Sequence, residues 1–224
     1  SGMIHPDLAT MLAYLTTDAA IEQEALQRAL AVAVDASFHR ITVDGDSSPN
    51  DTVLCLANGR AGNRTIRTGS PSYRVFQRLL ERACLVLAQQ IVHDGEGATK
   101  VVKVVVRGAG SPAEARRAAA VIATSSLVKT AWFGEDANWG RILAAVGRAG
   151  VRVHPGKVGL WFEGEPIVTR GVGRGAPAER RLSRIVKRKT FTVEVDLGVG
   201  RAASWLWTTD LSFDYVRINA SYRT

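Results

Sequence analysis

The sequence predicts an α/β fold, an α+β layered sandwich of mixed sheets and helices. Three observations lead there. Segments of strand-like and helix-like periodicity alternate along the whole chain. Glycine turns and short polar loops separate them, with no internal repeat and no low-complexity linker. Of 224 residues, 46% are hydrophobic, enough to fill a substantial core between layers.

Element by element, residues 10–17 read as a strand, and the apolar run Met11 to Leu15 reads as its buried part. Thr17 or Asp18 is the expected cap of a helix over about Ile21 to Phe38, with Glu22 and Glu24 in its first turn. The run from Ile41 to Thr52 is a polar loop, followed by the apolar strand Val53-Leu54-Cys55-Leu56. A glycine-rich stretch, Asn58 to Ser70, leads to a long helix from about Pro71 to His93, where proline suits the first turn. A strand spans Val101 to Val106. Ser111, Pro112 and Glu114 mark the start of a helix that reaches about Ser125. Another helix covers Asn138 to Arg148, with Asn138 as its candidate cap. Strands follow near Val158–Phe162, Phe191–Leu197 and Ala203–Trp207, and the alternation of Tyr215 to Ala220 reads as a last strand. A larger layered domain to about residue 150 and a smaller part over 151–224 are the expected division.

The formal net charge is +8. The basic residues are dispersed except between Arg170 and Lys189, where a solvated loop and helix face is the default. Neither nucleic acid nor a membrane is therefore an expected partner. No signal peptide or lipidation signal is present, and no apolar run is long enough to span a bilayer, so the cytoplasm is the expected location. Cys55 and Cys84 lie in apolar surroundings without metal-ligand spacing, and the four histidines are scattered, so no metal site is expected. The chain opens Ser1-Gly2-Met3, which reads as the downstream part of something longer.

Several segments are rich in chemistry-bearing side chains. The loop from Asp44 to Thr52 is dense in carboxylates and hydroxyls, but a calcium loop would need a terminal bidentate glutamate. Side chains capping the loop's own backbone, beside a nearby site, are the favoured role. In Asp94-Gly95-Glu96-Gly97, a carboxylate stands between two glycines, which let a backbone approach a ligand closely. Thr10 follows the small residue Ala9. Within a chain a threonine is a poor nucleophile. If the Ala9–Thr10 bond were cut, the freed α-amine, with an ordinary pKa of roughly 7.7–8.0, would become its own general base. The competing role for Thr10 is that of an ordinary strand residue.

These segments in order resemble one family. Gly2-Met3-Ile4-His5-Pro6 with Ala9-Thr10-Met11-Leu12, then Thr16-Thr17-Asp18-Ala19, the Asp44–Thr52 loop, Asp94-Gly95-Glu96-Gly97-Ala98-Thr99-Lys100, Asn138-Trp139-Gly140-Arg141 and the ending Asp214 to Thr224 are similar to the ornithine acetyltransferases. These are the bifunctional glutamate N-acetyltransferases of arginine biosynthesis. The resemblance covers essentially the whole chain. It implies a fold of the N-terminal-threonine-nucleophile type and a precursor that cuts itself at Ala9–Thr10. Residues 1–9 then match the end of the α chain and 10–224 the β chain of an α2β2 heterotetramer. Thr10 would carry an acetyl group from N2-acetylornithine to glutamate, and Thr10, Glu96, Asn219 and Thr224 would contact substrate. No cofactor is implied, and acetyl-CoA stands as an alternative acetyl donor. The sequence departs from the family at Ser47-Ser48-Pro49, Ala137 and Ser221, where Thr-Ser-Thr, proline and aspartate are usual. Two other classes fit the same residues: a self-processing threonine-nucleophile aminopeptidase or amidohydrolase, and a basic, non-catalytic binding module.

Overall fold

A computed structural model describes residues 11–221; Ala9, Thr10 and Thr224 lie outside them. The chain divides into two compact units between Ile91 and Val92, not near residue 150. Strands from both sides of the expected boundary pair directly in one sheet, which is why no division falls there.

The first unit holds β1 (Leu12–Thr17), α1 (Gln23–Asp35), a short 3-10 turn (Phe38–Arg40), β2 (Thr52–Ala57) and α2 (Pro71–His93), whose end passes the boundary. β1 and β2 run parallel, with Leu12 opposite Thr52 and Thr17 opposite Ala57. The run from Met11 to Leu15 is only half-buried. Met11 and Ala13 face inward, whereas Leu12 and Tyr14 are 59% and 62% exposed, because a strand sends alternate side chains to opposite faces. α1 begins later than expected. Its cap is Glu22, without a side-chain bond, while the Thr17 hydroxyl accepts from Ala19 N at 3.2 Å instead. Its inner face is the alanine stripe Ala25, Ala29 and Ala33, spaced four apart. α2 has the expected bounds, with Leu80, Cys84 and Ala88 buried. Both cysteines are free thiols. Cys84 is fully buried, and burial, then the nearby Cys55, push its thiol up to about 11 against a hydrogen bond with Ser37. Cys55 is half-buried.

The second unit is built on a six-stranded sheet. In chain order it contains β3 (Val101–Ala109), α3 (Pro112–Ala123), α4 (Ser126–Phe133), α5 (Trp139–Gly147), β4 (Gly159–Phe162), β5 (Glu165–Thr169), β6 (Val172–Gly173), α6 (Ala176–Ile185), β7 (Thr190–Asp196), β8 (Ala202–Thr209) and α7 (Phe213–Ser221). The strand order is β6-β5-β4-β7-β3-β8. β3 and β7 pair in parallel, and every other pairing is antiparallel. The parallel pair needs a long crossover, which carries α3 to α6. One sheet face presents Val102, Val104, Val106, Phe191, Val193, Val195 and Leu206 to the core, where α3 and α5 add alanines and Ile142. Trp132 of α4 is fully buried and meets Phe191 edge to face, with centroids 6.3 Å apart. The opposite face is mixed: Lys103 lies over the Trp205 and Trp207 rings, and Arg107 over Trp161.

Two helix starts follow their sequence signals. Ser111 Oγ accepts from Glu114 N at 3.2 Å, and Asn138 Oδ1 accepts from Arg141 N at 3.1 Å. The Arg170–Lys189 run forms the expected solvated face: Arg180, Arg181 and Arg184 are exposed on α6, while Leu182 and Ile185 turn inward. The last expected strand is a helix, α7. Among the described residues, no helix is long and apolar enough to cross a membrane.

Candidate active site

The residue after Thr10 is held firmly. Met11 N donates to Asp51 Oδ1 at 2.6 Å, and Thr52 N donates to Met11 O at 2.8 Å. The Asp44–Thr52 loop therefore brackets the start of β1. Its own side chains cap its backbone, with Asp44 Oδ1 accepting from Asp46 N and Ser48 Oγ from Asn50 N, and Thr42 Oγ1 just before it accepts from Gly45 N. Burial raises the Asp51 carboxyl above its ordinary value, and the Met11 N–H pulls it partly back. Among the described residues no group of three or more His, Cys, Asp or Glu is placed to hold a metal ion.

Of the four expected substrate contacts, Glu96 and Asn219 are within the described residues, and they meet. Asn219 Nδ2 donates to Glu96 Oε2 at 2.8 Å and to Tyr215 O, one helical turn back, at 3.0 Å. Their separation of 123 positions makes the meeting a property of the fold. Glu96 is half-buried on the turn between α2 and β3, and Asn219 is exposed on α7. A carboxylate has two acceptor oxygens with about four lone-pair sites, so one bond from an amide donor does not exhaust it.

The junction from β8 to α7 builds this pair, and sequence reasoning passed over it. Thr208, Thr209, Asp210 and Ser212 are all buried polar residues. Asp210 Oδ1 accepts from Thr99 N at 2.8 Å and Lys100 N at 2.9 Å, and Oδ2 accepts from the Thr99 hydroxyl. The carboxylate thereby clamps the end of the Glu96 turn to the sheet. Buried Lys129 donates through Nζ to Thr209 O at 2.6 Å and to the Thr208 and Thr209 hydroxyls at 3.2 Å each. The Thr208 hydroxyl in turn donates to Ala123 O at 3.0 Å. The polar residues that end β8 and follow it, in Thr208-Thr209-Asp210-Leu211-Ser212, were the available signal. Buried polar groups are kept only where they are hydrogen-bonded.

Comparison with known proteins places the chain. The ArgJ family profile matches residues 1–224. The protein named arginine biosynthesis bifunctional protein ArgJ from Geobacter sulfurreducens is 52% identical over the whole chain, which covers 57% of that protein. The protein of the same name from Geobacillus stearothermophilus is 45% identical, with 54% of its length covered. The crystal structure of arginine biosynthesis bifunctional protein argJ from Bacillus halodurans superposes with a TM-score of 0.88 at 41% identity, covering 95% of this chain and all of that one. The chain thus spans a little over half the length of the curated relatives it matches. With the ordered motifs, the family-wide match and the shared α/β fold, the chain belongs to the ArgJ family.

Proposed function

We propose that this chain, with the remaining part of its longer relatives, is an acyltransferase that moves an acetyl group from N2-acetylornithine to L-glutamate in arginine biosynthesis. The observation that carries this is the bond between Glu96 and Asn219, two residues expected to contact substrate and joined across 123 positions. The relatives' shared name, with arginine biosynthesis in it, supports it.

Water first cleaves the bond between Ala9 and Thr10: its oxygen ends on the new Ala9 carboxylate, which leaves residues 1–9 with the α chain, and a proton goes to the freed Thr10 amine. That amine takes the Thr10 hydroxyl proton, and Oγ attacks the acetyl carbonyl. The C–N bond to ornithine breaks, the proton goes to the departing nitrogen, and an acetyl-threonine ester remains. The amine of glutamate then attacks the ester, the C–O bond breaks, and the proton returns to Oγ. Splitting the transfer in two keeps the amino acids from having to occupy the site together. Glu96 supplies negative charge for the cationic end of the donor, Asn219 holds that carboxylate in place, and Thr224 is the remaining proposed contact. No cofactor takes part, and acetyl-CoA is a proposed alternative donor. The donors that stabilise the oxyanion come from the part of the longer relatives outside this chain. The assembly is an α2β2 heterotetramer in the cytoplasm.

Intact-mass analysis of the full precursor tests this directly. The wild type should be two pieces, one ending at Ala9 and the other beginning at Thr10, and Thr10→Ala should stay whole. Brief exposure to N-acetylornithine without glutamate should add one acetyl group to the Thr10 piece, and glutamate should discharge it. Cleavage of Thr10→Ala at the same bond sinks the mechanism. Release of free acetate at the same rate with and without glutamate would reveal a hydrolase of the aminopeptidase type instead.

A further inference from the structure

Gly97 and Ser212 stand 115 positions apart, yet Ser212 Oγ donates to Gly97 O at 2.6 Å. The same oxygen accepts from Asp214 N at 3.1 Å and Tyr215 N at 3.3 Å, the free amides of the first turn of α7. A hydroxyl has one proton and two lone pairs, so Ser212 is fully used. Gly97 has φ of 63°, and a Cβ there would stand 2.4 Å from Tyr215 N and 2.9 Å from Ser212 Oγ. The turn therefore sits directly on the first turn of the helix, with no space for a side chain between them. Glu96 precedes Gly97 in the turn. Asn219 lies one helical turn beyond Tyr215 and is bonded to its carbonyl. One hydroxyl thus joins the segment that carries the carboxylate to the helix that carries its amide partner.

We propose that Ser212 is a positioning residue for the Glu96–Asn219 pair, fixing the carboxylate where the cationic end of the acetyl donor binds. Ser212 does not touch substrate. Its role presupposes the acyl transfer proposed above, with Glu96 and Asn219 as substrate contacts. Without the Ser212–Gly97 bond the turn keeps its Asp210 clamp but loses its backbone tie to the helix start, and the donor must order Glu96 as it binds. Misplacement on the ångström scale costs roughly tenfold to a hundredfold in such sites.

The test uses the full-length protein with Ser212→Gly and Ser212→Thr, with donor and glutamate varied separately. Glycine is tolerated at helix N-caps, so Ser212→Gly removes the bond to Gly97 while α7 keeps its start. Ser212→Gly should raise the donor KM and lower the donor kcat/KM by roughly tenfold or more, with the glutamate dependence, the self-cleavage and the Tm close to wild type. Ser212→Thr should restore the donor KM. In a Glu96→Gln background, Ser212→Gly should have no further effect on the donor. A wild-type donor KM in Ser212→Gly, or the same loss repeated in the Glu96→Gln background, overturns the role. If Ser212→Gly does not accumulate folded, Ser212→Cys, a weaker donor of similar size, should show the same donor-specific rise, and a wild-type KM there overturns the role equally. A wild type that transfers no acetyl group overturns the acyl-transfer assignment, and this role with it.

Discussion

Asp51 carries two opposed demands in one carboxylate. It holds the Met11 amide at 2.6 Å, and burial works against its charge. Because burial outweighs the hydrogen bond, its folded pKa lies above the ordinary 3.8. The folded state then binds a proton more readily than the unfolded chain. Stability from this group is greatest below pH 3.8, falls as pH rises through the folded pKa, and stays lowered at neutral pH. Asp51→Asn keeps an oxygen to accept the Met11 N–H and removes the charge. It should be at least as stable as wild type at pH 7 and show a flatter stability profile between pH 3 and 6. Asp51→Ala leaves the Met11 amide without that acceptor and should cost about 1 kcal/mol. Urea midpoints across that pH range decide it. A large loss in Asp51→Asn at pH 7 would mean that the negative charge itself is needed.

Elements differ in how plainly the sequence announces them. α3 and α5 begin at the expected caps, Ser111 and Asn138, because the cap is a local event between residues three apart. Ser111→Ala should therefore cost about 1 kcal/mol in unfolding free energy, read as a lowered midpoint at unchanged slope; an unchanged midpoint would mean that the Pro112 start suffices alone. α7 was illegible for the opposite reason. Tyr215-Val216-Arg217-Ile218 alternates as a strand does, but the Ser212 cap, the Asp214–Arg217 ion pair at 3.1 Å and the Asn219 bond to Tyr215 O all need the helix. α4 was hidden by Lys129, a charged residue at a buried position, which breaks its apolar stripe. The hairpins joining β4, β5 and β6 turn at Glu163-Gly164 and Arg170-Gly171, all four residues with positive φ. Asn or Asp before glycine would have announced such turns; glutamate and arginine do not. At the candidate site, Glu96 and Asn219 were reached through family resemblance, whereas Asp210, Ser212 and Lys129 act through long-range bonds that no local pattern encodes.

At the scale of the whole molecule, the two units are unequally self-sufficient. β3 is bonded along both edges, to β7 and β8, and its inward valines are fully buried in the larger core. β1 pairs with β2 alone among the described residues, and Leu12, Tyr14 and Leu56 on those strands are each about three-fifths exposed. Parallel strands are normally covered on both faces, since their apolar side chains point both ways. Local opening should therefore be far easier in β1 than in β3. Amide hydrogen exchange on this 224-residue chain measures the difference. The amides of Val102 to Val106 should be among the slowest to exchange. Those of Leu12 to Thr17 should exchange at least about a hundredfold faster, a gap of ~3 kcal/mol in opening free energy. Equal protection would show that β1 and β2 open only with global unfolding, and that the chain behaves as one cooperative body.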